Sequence, residues 1–246
     1  MEKEEVKKLL DIEKSTRGYL YSLNDIIQSR DIDGLFHPSG IGYCSRKLQY
    51  HYLTEPPVHK ISSSTRSIFD LGHAVHDMLQ ARLSKVLEWR FKDLDVDFIL
   101  NVEESITDTN FAREHELAGS ADGVIRLFSS TNEEHISTIV YEAKSISSKG
   151  WAKLRSPLIK HRMQASIYAK CLESELILFE YYCKDNSRSK WYLIDRDDEA
   201  LESAMRQIEK VSTATKKLKL VPREGSTYEC QDCPYLESCL PEGVQP

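Results

Sequence analysis

Nothing in this chain reads as a membrane span, because no apolar run approaches the roughly 18 residues that a bilayer-crossing helix needs. The opening residues, MEKEEVKKLL, are charged and have no signal-peptide apolar core, so a cytoplasmic protein is expected, in a bacterial, archaeal or phage-infected cell. Internal repeats, low-complexity tracts and helicase motifs are all missing. Any unwinding must therefore come from another protein. A basic excess is missing too: 33 Lys and Arg against 39 Asp and Glu leave a net charge of −6. That argues against a generic nucleic-acid coat. It does not argue against an enzyme that gathers carboxylates around a divalent metal and meets DNA through a local basic stripe.

What is present is an ordinary globular composition, 40% hydrophobic and 29% charged over 246 residues, long enough to bury a sizeable core. Residues 3–30 read as helical, with Val6, Leu9, Leu10, Leu20, Leu23 and Ile27 on one face. Residues 33–43 (DGLFHPSGIGY) form a loop, a short helix follows over 44–53, and 54–63 break it. The spacing of Ile68, Leu71, Val75, Met78, Leu79, Leu83 and Val86 predicts a long helix over 64–90. Strands are expected near 96–104, 114–128, 137–144, 175–183 and 190–195, with helices over 158–173 and 197–219. The order helix, three strands, helix, two strands gives an α/β fold, a mixed central sheet flanked by helices.

One strand, ISTIVYEAK, ends in Glu142-Ala143-Lys144. Residues two apart on a strand share a face, so Glu142 and Lys144 project together and Ala143 points away. A carboxylate and an ammonium at the end of a buried strand are costly without partners, and a metal ion with a water would be suitable ones. Upstream, Asp122 sits among Gly119 and Gly123, and His73 and His76 lie on the long helix. Each piece alone is commonplace: an E-x-K pair is usually a strand edge, a helical His a boundary residue, an Asp before Gly a turn. The order and setting of the three are what carry information. In HRMQASIYAK, Gln164 and Tyr168 are four apart and share a helix face, though Tyr168 also suits a core.

The six cysteines are unevenly placed. Cys230, Cys233 and Cys239 form C-x2-C-x5-C, Cys44 lies 186 positions upstream of Cys230, and Cys171 and Cys183 lie within apolar segments as small core residues. In a cytosolic chain this is not a disulfide framework. A metal held by the three clustered thiolates and a fourth ligand is expected. Zinc is the bland choice, although one distant Cys suits a zinc finger poorly.

These residues resemble the RecB-like branch of the PD-(D/E)XK nucleases, and in particular its iron–sulfur subset, which includes the CRISPR-adaptation nuclease and AddB-type families. The resemblance covers roughly residues 40–240. It implies a restriction-endonuclease-like core over 64–219, an N-terminal helical segment 1–63 and a C-terminal segment 220–246, the last two joined by a 4Fe-4S cluster on Cys44, Cys230, Cys233 and Cys239. YCSRKLQYHYL around Cys44 looks like that subset's C-P-R-K-x-x-Y element, with Ser45 in place of Pro. It implies that Asp122, Glu142, the Ala143 carbonyl and His76 (or the neighbouring His73) bind Mg²⁺ or Mn²⁺, and that Lys144 orients the attacking water. Ala121 stands where the family name has its proline. Gln164 and Tyr168 match the Q-x-x-x-Y pair that lines the DNA path. Arg46, Lys153 and Trp151 are further candidate DNA contacts, Lys153 and Trp151 from the basic stretch 149–162. The expected activity is phosphodiester hydrolysis on single-stranded DNA or duplex ends, in recombination, repair, phage replication or CRISPR spacer processing. A helicase, recombination or CRISPR protein is a possible partner, and an oligomer is left open. The alternatives are a catalytically idle iron–sulfur scaffold subunit and a zinc-stapled restriction-type endonuclease.

Overall fold

A computed structural model describes residues 33–54, 63–225, 229–230 and 233–240. The expected helical region 3–30 lies outside them.

Five strands form one mixed sheet in the order β1-β2-β3-β4-β5: β1 Val96–Ser105, β2 Ser120–Ser129, β3 His135–Ile146, β4 Leu176–Cys183 and β5 Arg188–Asp195. Neighbours are antiparallel except β3 and β4, which are parallel. The chain crosses between those two through helices α4 (Ser148–Lys153) and α5 (Ile159–Cys171), as a parallel pair demands. β3 is buried on both faces from Val140 to Ala143, the signature of a central strand. β1 and β5 lie at the edges, and Ile99, Val102 and Leu193 face outward there.

Helix α2, Ser63–Phe91, covers one face of the sheet. Val75, Leu79, Leu83 and Leu87 pack there against Ile125, Tyr141, Ala143 and Tyr182. The other face carries α5 and then α6 (Asp198–Lys216), with Ala165, Ile167, Ala169, Ala204 and Ile208 in the larger core. Helix α1, Ser45–Tyr52, packs on α6. Among the described residues no helix is long and apolar enough to cross a membrane.

Two expectations are corrected, and one element is added. The buried row of α2 repeats every four residues and is narrower than the sequence suggests, so Ile68, Leu71, Met78 and Val86 stay exposed. β2 starts at Ser120 rather than 114. Thr109 caps a short helix α3 (Asn110–Glu114) by accepting from Ala112 N–H, and Leu117 then pairs with Phe36 instead of joining the sheet. Residues 148–153, between the expected strand and helix, form a short helix, because Ser147 accepts from the Gly150 N–H at 3.3 Å and starts a turn.

Candidate active site

β2 and β3 pair as far as Gly123↔Tyr141 and then separate, while β3 continues beside β4 to Ile146↔Cys183. Past Gly123↔Tyr141, the Ala143 N–H donates to Asp122 Oδ2 at 2.7 Å instead of to a strand carbonyl. On the other side of β2, Val102↔Gly123 and Glu104↔Ala121 are paired, but Glu103 and Asp122 between them are not. Glu103 is in the left-handed region at φ 50°, a local kink that frees Asp122 from the ladder.

Helix α2 brings two side chains to this gap, one turn apart. His76 Nδ1 lies 3.5 Å from Asp122 Oδ1. Gln80 Nε2 donates to the Asp122 carbonyl at 2.9 Å and to Glu103 Oε1 at 2.6 Å. His73 is exposed on the outer side of the helix, so the structure brings His76 to the gap and leaves His73 out.

Glu142 is fully buried. Its Oε1 accepts from Lys144 Nζ, while its Oε2 is buried with no hydrogen-bond partner. Burial pushes the Glu142 carboxyl up to about 7, with the Asp122 charge adding and the Lys144 charge opposing. Burial acts the same way on Asp122, but His76, Lys144 and the Ala143 N–H together outweigh it and hold that carboxyl below the usual range. The Asp122 carboxylate raises His76 against the effect of burial. Burial would lower Lys144, yet the Glu142 and Asp122 charges keep it raised. The site thus holds two unlike carboxyls, one ionised and one that resists ionisation until more positive charge arrives.

The donor set of two carboxylates and an imidazole fits a hard divalent cation, and the orphan oxygen of Glu142 is the feature such an ion would satisfy. Among the described residues no three His, Cys, Asp or Glu side chains stand at the spacing of ligands around an ion, so the groups converge without coordination geometry.

Gln164 and Tyr168 are buried on the α5 side. Burial and the neighbouring Glu142 charge raise the Tyr168 hydroxyl strongly. The pair therefore backs the carboxylate. Trp151 is engaged internally: Lys190 Nζ lies 4.1 Å from its ring centroid and donates to the Trp151 carbonyl at 2.7 Å. Lys153 is exposed at the end of α4.

Sequence reasoning missed Gln80, Glu103 and the residues behind Lys144. Tyr181 is in register with Lys144, and its hydroxyl accepts from the Leu158 N–H at 3.0 Å and meets His161 Nδ1 at 2.8 Å. It also missed a buried knot on the opposite face. Glu180, in register with Ala143, accepts from Arg82, from Ser189 at 2.6 Å and from Tyr141 at 2.7 Å. Only Gln80, at His76 plus four, left a usable trace in the sequence.

The second constellation lies where α1 meets the chain after α6. All four cysteines singled out by spacing are free thiols. Burial raises Cys230 and Cys233, and neighbouring thiol charge adds to this: Cys44 and Cys239 act on Cys230, and Cys44 and Cys230 on Cys233. Burial also pushes up the Cys44 thiol, but backbone N–H groups of Glu224, Lys47, Arg46 and Gly225 outweigh it, and the net shift is downward. A Cβ at Gly225 would stand 3.3 Å from Cys230 Sγ and 3.6 Å from Cys44 Sγ, so glycine there keeps room between the sulfurs. Thiols are the donor type that a metal or an iron–sulfur cluster takes, but among the described residues no three of them stand at the spacing of ligands. Arg46 is committed to this end, donating to the Val221 carbonyl at 2.8 Å and to Cys239 Sγ at 3.8 Å. Cys171 and Cys183 lie buried in the body of the fold.

The chain matches no protein-family model and no curated protein. Among solved structures, one described as the crystal structure of SSO0001 is 20% identical, with 94% of this chain and 96% of that chain covered and a TM-score of 0.48. The alkaline exonuclease LHK-Exo from Laribacter hongkongensis is 12% identical, with 82% and 95% covered and a TM-score of 0.48. Its complex with dAMP is 13% identical, with 75% and 89% covered and a TM-score of 0.47. Likenesses of this degree carry no weight for the chemistry, which stands on the residues themselves.

Proposed function

We propose that this chain is a metal-dependent DNA nuclease of the RecB-like PD-(D/E)XK kind, acting on single-stranded DNA or duplex ends, with an iron–sulfur cluster on Cys44, Cys230, Cys233 and Cys239. The observation that carries the reading is the fully buried Glu142, with one oxygen on Lys144 and the other unpartnered, beside Asp122 and His76. A buried, half-satisfied carboxylate is expensive unless it has a use.

His76, Asp122, Glu142 and the Ala143 carbonyl would hold Mg²⁺ or Mn²⁺. When bound, such an ion lowers the pKa of water and offsets phosphate charge. Lys144, its ammonium already directed by Glu142, orients the attacking water and stabilises negative charge developing on the phosphate. Asp122 is locked by the Ala143 N–H and through its own carbonyl by Gln80, so it need not reorganise when substrate arrives. A helicase, recombination or CRISPR protein would supply any duplex opening.

The test is anaerobic purification followed by digestion of end-labelled single- and double-stranded DNA with Mn²⁺ and with Mg²⁺, and iron and sulfide analysis of the same sample. Metal-dependent release of nucleotides, lost in Glu142→Ala and Lys144→Ala, is the expected result. Binding without cleavage under every metal would make the chain a scaffold subunit, and zinc in place of iron and sulfide would replace the cluster assignment alone.

A further inference from the structure

Tyr43 precedes the first thiol of the cluster and is 37% exposed. Its backbone is clamped between two elements. Gln207 of α6 accepts from the Gly42 N–H at 2.8 Å and donates to the Tyr43 carbonyl at 2.7 Å. Gly42 has φ +82°, and a Cβ there would meet Lys160 Cβ at 2.9 Å, so the loop rests directly on the start of α5. Two ammonium groups attend the ring. Lys160 Nζ is 4.5 Å from the centroid and donates to the hydroxyl at 2.9 Å, which puts it out at the phenol end rather than centred over a face. Lys47 Nζ is farther, at 5.9 Å, and its residue is exposed.

The position of this ring relative to the candidate active site matters. Lys160 is followed by His161, whose imidazole is held by Tyr181 next to Lys144. Two successive residues of α5 thus touch the two places, Lys160 at the Tyr43 hydroxyl and His161 at Tyr181 beside Lys144. Ile159, at the first turn of α5, is exposed as well. A half-exposed aromatic on a fixed backbone, two cations beside it and exposed apolar surface on the adjoining helix are what an unpaired base and its phosphates need.

We propose that Tyr43 is a stacking platform for an unpaired base of single-stranded DNA, with Lys47 and Lys160 on the flanking phosphates, next to the mouth of the nuclease site. This rests on the nuclease reading for its substrate class. It adds a site on the segment leading into Cys44, which also gives that segment a role in holding substrate.

The test uses the full chain, purified anaerobically, and a short fluorescein-labelled oligothymidine in EDTA, so that binding is read without cleavage. Tyr43→Ala is expected to weaken binding by about tenfold or more, the scale of one lost stacked base. Tyr43→Phe keeps the ring and is expected to bind nearly as wild type. Lys160→Ala is expected to lower the slope of log affinity against log salt by about 0.7, one phosphate on a single strand. A walk of single abasic units along the oligonucleotide supplies the signature that a merely structural role would not give. Wild type and Tyr43→Phe should show one sensitive position, and Tyr43→Ala should show none. Unchanged affinity and an unchanged abasic pattern in Tyr43→Ala would overturn the platform, as would wild type that fails to bind the oligonucleotide. The signature without cleavage in any metal would leave the platform standing and remove the nuclease reading; cleavage with no signature would do the reverse.

Discussion

The two constellations of this molecule bring distant residues together by different means. At the candidate active site the sheet does the work: register places Glu142 and Lys144 on one strand, and the splaying of β2 from β3 lets Asp122 cap the Ala143 N–H. At the thiol end no ladder joins the partners among the described residues. Gln49, fully buried on α1, reaches Thr215 Oγ1 at 3.0 Å and the Lys219 carbonyl at 2.8 Å, and accepts from the Val221 N–H at 2.8 Å. Tyr50 Oη donates to the Ser238 carbonyl at 3.0 Å, and Ser45 Oγ to Glu224 at 2.6 Å. One site is an extension of the core, and the other is a set of side-chain ties across a chain closure. The difference teaches where each should fail first.

Removing the thiolates should have the largest effect. A cluster of the kind proposed would close the loop from Cys44 to Cys230 and contribute about 5 kcal/mol at most by chain-entropy arithmetic. Cys44→Ser or Cys239→Ser should therefore raise hydrogen exchange in residues 33–54 and 219–240 and leave β2–β4 protected. Equal loosening of the central strands would erase the distinction between the two ends.

Glu142→Gln comes next. It should lower cleavage by about 10²–10³-fold, the scale of removing one charge-stabilising group. It should leave the melting temperature of the metal-free protein close to that of wild type, because the relief of burying a neutral amide offsets the charge lost beside Lys144, which Asp122 still faces. A drop in melting temperature would show that the metal-free site is not strained in the way the burial suggests.

Gln49→Ala sharpens the comparison from the protein side. It leaves the Val221 N–H and two further groups without their partner, at a cost of about 2–3 kcal/mol in chemical denaturation. The cost should persist after the cluster metal is removed, because these hydrogen bonds do not pass through the cysteines.

Arg82→Met should cost about 1–2 kcal/mol. It uncovers the buried Glu180, but the half-exposed guanidinium is screened, and Tyr141 and Ser189 still donate to the carboxylate. Its effect on Mn²⁺ affinity should be small, as the knot lies across the sheet from Glu142.

Much of this was legible beforehand, because the patterns were local. Strand periodicity and length found all five strands, and E-x-K spacing placed Glu142 and Lys144 side by side. The rest depended on contacts that no local pattern encodes. The narrow seam of α2 follows from how the helix crosses the sheet, so Met78 and Val86 looked like core and are not. Arg46 and Trp151 stood out because cations and aromatics suit phosphates and bases, and nothing local showed the contacts they make with Val221, Cys239 and Lys190. Glu103 carried no signal, since its role comes from a kink in β1. Tyr43 was hidden for the opposite reason: the lysine that makes it interesting lies 117 residues away.

The central claim is that His76, Asp122 and Glu142 share one hard cation. Anomalous diffraction at the manganese edge from crystals grown with Mn²⁺ addresses it directly. The expected result is a single peak bounded by those three side chains and the Ala143 carbonyl, with Glu142 Oε2 among the ligands. A manganese ion elsewhere in a protein that cleaves DNA, with Glu142 Oε2 still unpartnered, would contradict it.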